Sequence, residues 1–378
     1  MREKFTPKDI KFIITCLLIG IASTFFALSY FRQAFPEASI NIKISKDEGR
    51  KQAKQFLANR GWDIVDHIHA SRFGYHWEEK TILERHFDAE VAGQLYSDNA
   101  GYYWEYRWFK PEQKEEFKIE LRTTGEIHFF EHIIADSTHG DSLSQDAAYD
   151  KARFYITGTL GFDPDKWDLM EKTGTDRPNR YDHYFEWEEK DFYEKNGLEV
   201  ENSSNEDKNS TQNQTSHRIS IDVRGSEISK YHEWFKHPEI WEREYKNLRS
   251  YNWLAQSFGE FGLNITLFII LMVIVIRSRK KDIHWKSAFS YGGLVAVLLA
   301  LFALNRMPET LMWVDSSISL PTMIFQKIFL DVILVPIFLG CFISIIIAGG
   351  EAYYRDQYPD QVAFRNIFSV SGMQTKYF

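Results

Sequence analysis

Two imidazoles bracketing a carboxylate form the most chemically suggestive pattern in this 378-residue chain. His128-Phe129-Phe130-Glu131-His132 has the H-x-x-E-H spacing of one class of zinc peptidases. That chemistry needs a helix, where residues four apart share a face and both rings reach one ion. Here Thr124-Gly125-Glu126 reads as a turn just upstream, after the alternating run Phe117 to Leu121, so a strand is predicted from Ile127 to Ile134. Four residues along a strand span about 13 Å. The motif therefore reads as strand surface rather than as a ligand set. His67 and His69 belong to a stretch, residues 37–260, that holds 11 of the 12 histidines. They read either as pH sensors or as solvated surface histidines, and the second reading is favoured.

A second set of candidates lies in apolar surroundings. Lys327 and Asp331 sit four apart in an otherwise uncharged run, where an ionisable group is a functional candidate by default. The competing reading is a one-turn ion pair near the outer interface, with Lys327 reaching toward water. Glu351 and Arg355, again four apart, follow Gly349-Gly350 and read as an interfacial pair. No Gly-rich phosphate loop, G-x-S-x-G elbow or H-E-x-x-H is present, and no catalytic residue or cofactor is indicated.

The elements that must carry these residues are membrane helices around a polar insert. Phe12 to Phe31 is uncharged over 20 residues, the length a helix needs to cross a bilayer. Phe261–Ile276 and Ala288–Leu304 are uncharged as well, and Ile328–Ala348 is interrupted only by Asp331. Lys and Arg placement orients them. Arg2, Lys4, Lys8 and Lys11 precede the first span, and Arg277, Arg279, Lys280 and Lys281 follow the second. Only Arg306 marks the loop between the third and fourth. The expectation is four spans with both termini cytoplasmic and residues 37–260 extracytoplasmic. Cleavage after Ala27-Leu28-Ser29 would make the first span a signal peptide instead.

Residues 37–260 hold 30 Lys and Arg against 44 Asp and Glu, while the remainder holds 15 against 9. An acidic insert excludes nucleic acid as the partner and is repelled by anionic headgroups. Two cysteines exclude a disulfide scaffold or a multi-cysteine metal module. The insert carries an internal duplication one hundred residues apart. Ala53 to Leu57 followed by Gly61-Trp62-Asp63 is matched by Ala152 to Ile156 followed by Gly161-Phe162-Asp163. Each is an amphipathic helix closed by glycine, the second capped by Ser142 or Ser144. Alternating runs follow at Tyr102–Trp108 and Phe117–Leu121, then at Tyr184–Trp187 and Ile219–Val223 before a turn at Gly225. Each half is expected to be a helix plus antiparallel strands, an α+β unit. Residues 195–216 are Asn-, Ser- and Glu-rich and read as a flexible loop. A helix from Lys236 to Asn252 should lead into the second span, and Pro336 should kink the fourth.

The paired units resemble PepSY-like modules. The resemblance is carried by Tyr106-Arg107-Trp108-Phe109, Asp182 to Glu188, Pro238 to Tyr245, Gly350 to Arg355 with Tyr358-Pro359, and Gly372 to Phe378. Together they resemble the N-terminal region of large bacterial CPBP-family (CAAX prenyl endopeptidase-like) intramembrane proteins, over most of residues 45–378. That resemblance implies a Glu-Glu-x-x-x-Arg motif and two downstream histidine motifs on membrane helices, with Glu as general base. Glu78-Glu79 is followed by Leu83 at the Arg position, Glu115-Glu116 by Glu120 and Glu188-Glu189 by Tyr193. None fits, so no catalytic residue transfers.

The expected organisation is therefore residues 1–36 as cytoplasmic N-terminus and first span, 37–140 and 141–260 as PepSY-like units, 261–348 as three spans and 349–378 as a cytoplasmic segment. The expected function is the sensory or substrate-presenting part of such a peptidase, either a fragment or a form without the catalytic half. The alternative is a self-sufficient membrane-anchored binding or protease-inhibitory protein. Expected partners are membrane lipids and a protein or peptide ligand of the insert.

Overall fold

The computed structural model describes residues 6–34, 40–86, 92–93, 95–96, 101–190, 192, 215–236 and 239–359. The chain divides into two compact units. Residues 40–248 and 308–320 form one; residues 1–39, 249–307 and 321–378 form the other. The expected loop 195–216 lies largely outside the described residues, as do Gly372 to Phe378.

The first unit is built on one eight-stranded antiparallel sheet. Helix α2 (Lys46–Asn59) starts where Ser45 and Glu48 cap each other reciprocally, satisfying two amides that the first turn leaves open. It ends before Gly61, whose φ of 75° suits glycine. Strand β1 (Ile68–Tyr75) and helix α3 (Trp77–His86) follow, then β2 (Tyr102–Phe109), β3 (Glu116–Arg122) and β4 (Ile127–Ile133). The second half repeats the plan. Helix α4 (Gln145–Phe154) is capped by Ser144, and Gly161 again has φ 75°. Strands β5 (Trp167–Arg177), β6 (Arg180–Glu189), β7 (Ser216–Arg224) and β8 (Glu227–Lys236) complete it.

The strand order is β1-β2-β3-β4-β8-β7-β6-β5, so the halves join through β4 and β8. Helix α2 packs on β2 and β3, and α4 on the matching strands β6 and β7. Both helices present small residues, Ala53 and Ala148 among them, to one core that includes Trp108, Phe117, Phe130, Phe185 and Tyr231. The motif His128 to His132 lies on β4, a strand as its upstream turn required.

The histidines correct one expectation. His67 and His69 are half-buried rather than solvated, and His128, His132, His183 and His217 are only 1–7% exposed. They sit among the aromatic rings that crowd this sheet, where an imidazole packs like a small aromatic side chain. Burial, with Arg50, Lys54 and Lys46 nearby, pulls His69 down to about 4. That removes it from the physiological titration range.

Four helices that lie mostly in the second unit, α1 (Pro7–Ala34), α5 (Glu239–Arg279), α6 (Trp285–Thr310) and the helix Leu320–Gln357, are each long and apolar enough to cross a membrane. The helix expected before the second span is the first part of α5. The fourth helix changes form along its length. α7 (Leu320–Gln326) passes through a π-helical stretch, Lys327–Leu334, into α8 (Val335–Gln357), with Pro336 in the first turn of α8. α6 and α8 touch through small residues. A Cβ on Gly292 would overlap Ser344 Oγ and the Gly340 carbonyl, and one on Gly340 would fall 2.7 Å from Ala296 Cβ. Such pairs, four residues apart on each helix, let membrane helices approach closely.

Candidate functional site

Each candidate pair read from the sequence forms. Lys327 Nζ is 3.3 Å from Asp331 Oδ2, on the π-helical stretch. Glu351 is 3% exposed, and Arg355 Nη2 lies 3.7 Å from its Oε2. Further groups join Glu351 that spacing could not reveal. His284 Nδ1, from the loop before α6, is 3.2 Å from Glu351 Oε1. Arg355 also donates to the Asp282 carbonyl at 2.7 Å and lies 3.1 Å from the Asp282 carboxylate. Arg277 closes the network onto Asp282 at 2.6 Å and onto Asp356. The loop 282–284 is thereby tied to the ends of α5 and α8. A carboxylate against an imidazole has the composition of an acid–base pair. Gly350-Glu351-x-x-x-Arg355 also has the spacing of the second Glu and the Arg in Glu-Glu-x-x-x-Arg.

In the sheet unit, the most heavily bonded buried cation among the described residues is Arg107 on β2. Its Nε donates to Glu116 Oε2 at 2.8 Å. Its Nη1 donates to the carbonyls of Leu311 (3.3 Å), Met312 (3.1 Å) and Val314 (2.7 Å). Those carbonyls belong to the 3₁₀ turn Leu311–Trp313 and the residue after it, at the end of a helix where carbonyls point outward, and the Leu311 carbonyl also accepts from the Val314 amide. A guanidinium suits them because several donors fan out from one rigid plane. Arg72 stacks on Trp313 at 4.6 Å, and the Glu112 amide donates to the Ser316 carbonyl at 2.6 Å. The segment between α6 and α7 is thus fastened along β1 and β2, covering one edge of the sheet. At the other edge, β5 has no further strand partner among the described residues and exposes Leu169 and Met170.

The H-x-x-E-H residues separate. His132 is occupied, with Nδ1 2.7 Å from Glu227 and Nε2 2.9 Å from Glu115. Glu131 pairs with Arg224 at 2.8 Å. His128 instead enters a different group with His76 and Glu120, whose ligand atoms all lie within 4.8 Å of one another. Near this group opens a cleft of about 530 Å³ lined by Tyr75, His76, Trp77, Glu79, His232 and Trp234. Burial raises the Glu79 carboxyl to about 8, despite a hydrogen bond from the Phe235 amide. Burial, with Lys230 and the neighbouring histidines, lowers His232 to about 3. Buried clusters of titratable groups therefore mark this unit, those at Arg107 and at His128 among them.

What these features define is an α+β domain together with four helices of membrane-crossing length. No protein-family model, no curated protein and no solved structure matches the chain.

Proposed function

We propose that this chain is a multi-pass membrane protein whose sheet domain lies outside the cytoplasm, engages a polypeptide there, and passes its state to the membrane helices. In this reading it serves as the sensory or substrate-presenting part of an intramembrane endopeptidase of the CPBP type. The observation that carries the proposal is the Arg107 clasp. A sensor needs a physical link to what it controls, and here the connection between two apolar helices is bonded into the sheet domain. Two sites are coupled when a ligand at one alters an element held at the other. The buried Glu351 against His284, at Glu-x-x-x-Arg spacing, adds support for the family reading.

A second reading, a self-sufficient binding or inhibitory protein, is favoured by the open edge of β5. An exposed edge accepts an extended peptide as an added strand, while Asp168, Glu171 and Lys172 limit pairing with other copies. A photo-crosslinker at Met170, used in intact cells, addresses both readings. The proposal expects a trapped exported polypeptide and a membrane peptidase recovered with the uncrosslinked protein. A trapped polypeptide without any peptidase supports the second reading. No adduct at all, with no peptidase recovered, overturns both.

A further inference from the structure

Glu120 and His128 meet through an irregularity in the sheet. Strands β3 and β4 pair in step from Glu116 with Ile133 to Glu120 with Phe129, then resume at Leu121 with Ile127. His128 is left as the extra residue of a bulge, and a bulge re-aims the side chain it carries. The His128 side chain is 1% exposed, with Nε2 3.0 Å from Glu120 Oε2. Neither ring nitrogen has a hydrogen-bond partner among the described residues. An unmet buried polar atom costs about 1–3 kcal/mol. Buried polar atoms left unmatched in a native fold call for an explanation, and an ion is one.

The third member arrives from the end of β1. His76 Nε2 is 3.9 Å from the same Glu120 oxygen. Tyr103 stacks on His76 with ring centroids 4.6 Å apart and meets His128 edge-on at 5.5 Å, so one ring braces both imidazoles. Gly74, opposite Tyr103 on β1, leaves room for that ring, since a Cβ there would stand 2.7 Å from it.

We infer that His76, Glu120 and His128 form a binding site for a divalent cation of the zinc class. A tetrahedral zinc ion with bonds of about 2.0–2.1 Å holds its ligand atoms about 3.3 Å apart. The two separations to Glu120, 3.0 and 3.9 Å, bracket that spacing. Two imidazoles and one carboxylate form a borderline donor set that leaves a fourth position open. His76 also lines the cleft, which provides a path for entry. An ion here would tie the end of β1 to the β3–β4 bulge.

The test uses the full chain in detergent, stripped with a chelator and titrated with Zn²⁺ by calorimetry and with Co²⁺ by visible absorption. The expected result is one ion per chain with a tetrahedral cobalt spectrum. Glu120→Gln, which keeps the shape of the side chain, and His128→Ala should each weaken binding about 100-fold or more, beyond the 10–100-fold that outer-shell changes cost. His132→Ala, in the neighbouring motif, should leave the affinity unchanged. Circular dichroism of each variant separates lost binding from lost folding. The inference is overturned by the absence of saturable binding below about 100 μM. It is equally overturned by binding that Glu120→Gln and folded His128→Ala leave intact, or that His132→Ala weakens as much.

Discussion

Replacing Arg107 with methionine should release the segment 308–320 from the sheet. The guanidinium is buried, with bonds to Glu116 and to three carbonyls, and methionine keeps the volume while removing every donor. Removing one partner of a buried ion pair costs about 3–5 kcal/mol, chiefly because the other is stranded. Lys118 Nζ, 3.1 Å from Glu116 Oε1, can offset part of that, so the lower end applies. About 3 kcal/mol corresponds to a roughly 100-fold change in an equilibrium constant. The Glu112 amide reports the event, because it donates to the Ser316 carbonyl only while the segment is docked. Hydrogen exchange in detergent should show that amide exchanging about 100-fold faster, with Ile119 in the middle of β3 unchanged. Adding Glu116→Gln should recover about 1–2 kcal/mol by removing the stranded carboxylate. If Glu112 exchange changes by less than about threefold, the clasp is not what holds the segment.

Three other outcomes follow from the packing. Gly292→Val should push α6 off α8 and destabilise the membrane unit by about 1–3 kcal/mol, read as a lower unfolding temperature in detergent; an unchanged temperature would refute that contact. Ser45→Ala should cost about 1 kcal/mol through the lost capping box, measured in the same way. For His217, burial alone would lower the pKa, but bonds to Glu189 and Glu233 outweigh it and raise it. Its contribution is therefore full below its unfolded value near 6.5 and fades as pH rises through the higher folded value. The penalty of His217→Gln should be largest in mild acid and shrink toward pH 9, and a penalty that grows with pH would contradict the pairing. Its partner Glu233 is held at about 2, because His217, Arg122 and Tyr231 overcome a burial that would raise it.

What the sequence revealed and hid has a physical pattern. Tyr102–Trp108 and Phe117–Leu121 were legible because alternation is the period of a half-buried strand. The glycine-closed helices were legible because Gly61 and Gly161 both adopt positive φ. β1 escaped notice because Ala70, Ser71 and Gly74, its buried residues, carry little apolar signal. β5 escaped because an edge strand in water shows no inward face, and ten of its eleven residues lie outside the buried class. The clusters were illegible for another reason. Arg107 meets a carbonyl 207 residues away and His284 meets Glu351 at a separation of 67, distances that no periodicity encodes. The Lys327–Asp331 and Glu351–Arg355 pairs were visible only because helical spacing brings i and i+4 together.

The most direct test of the proposed arrangement places single cysteines on one chain, with Cys16 and Cys341 replaced by serine, and labels spheroplasts with a membrane-impermeant maleimide. Asp150 on α4, Ser317 in the clasped segment and Lys280 after α5 are all exposed. A domain and segment that share the outer side predict labelling of Asp150→Cys and Ser317→Cys in intact spheroplasts, and of Lys280→Cys only after lysis. Labelling of Lys280→Cys from outside, or opposite behaviour of the other two, would contradict it.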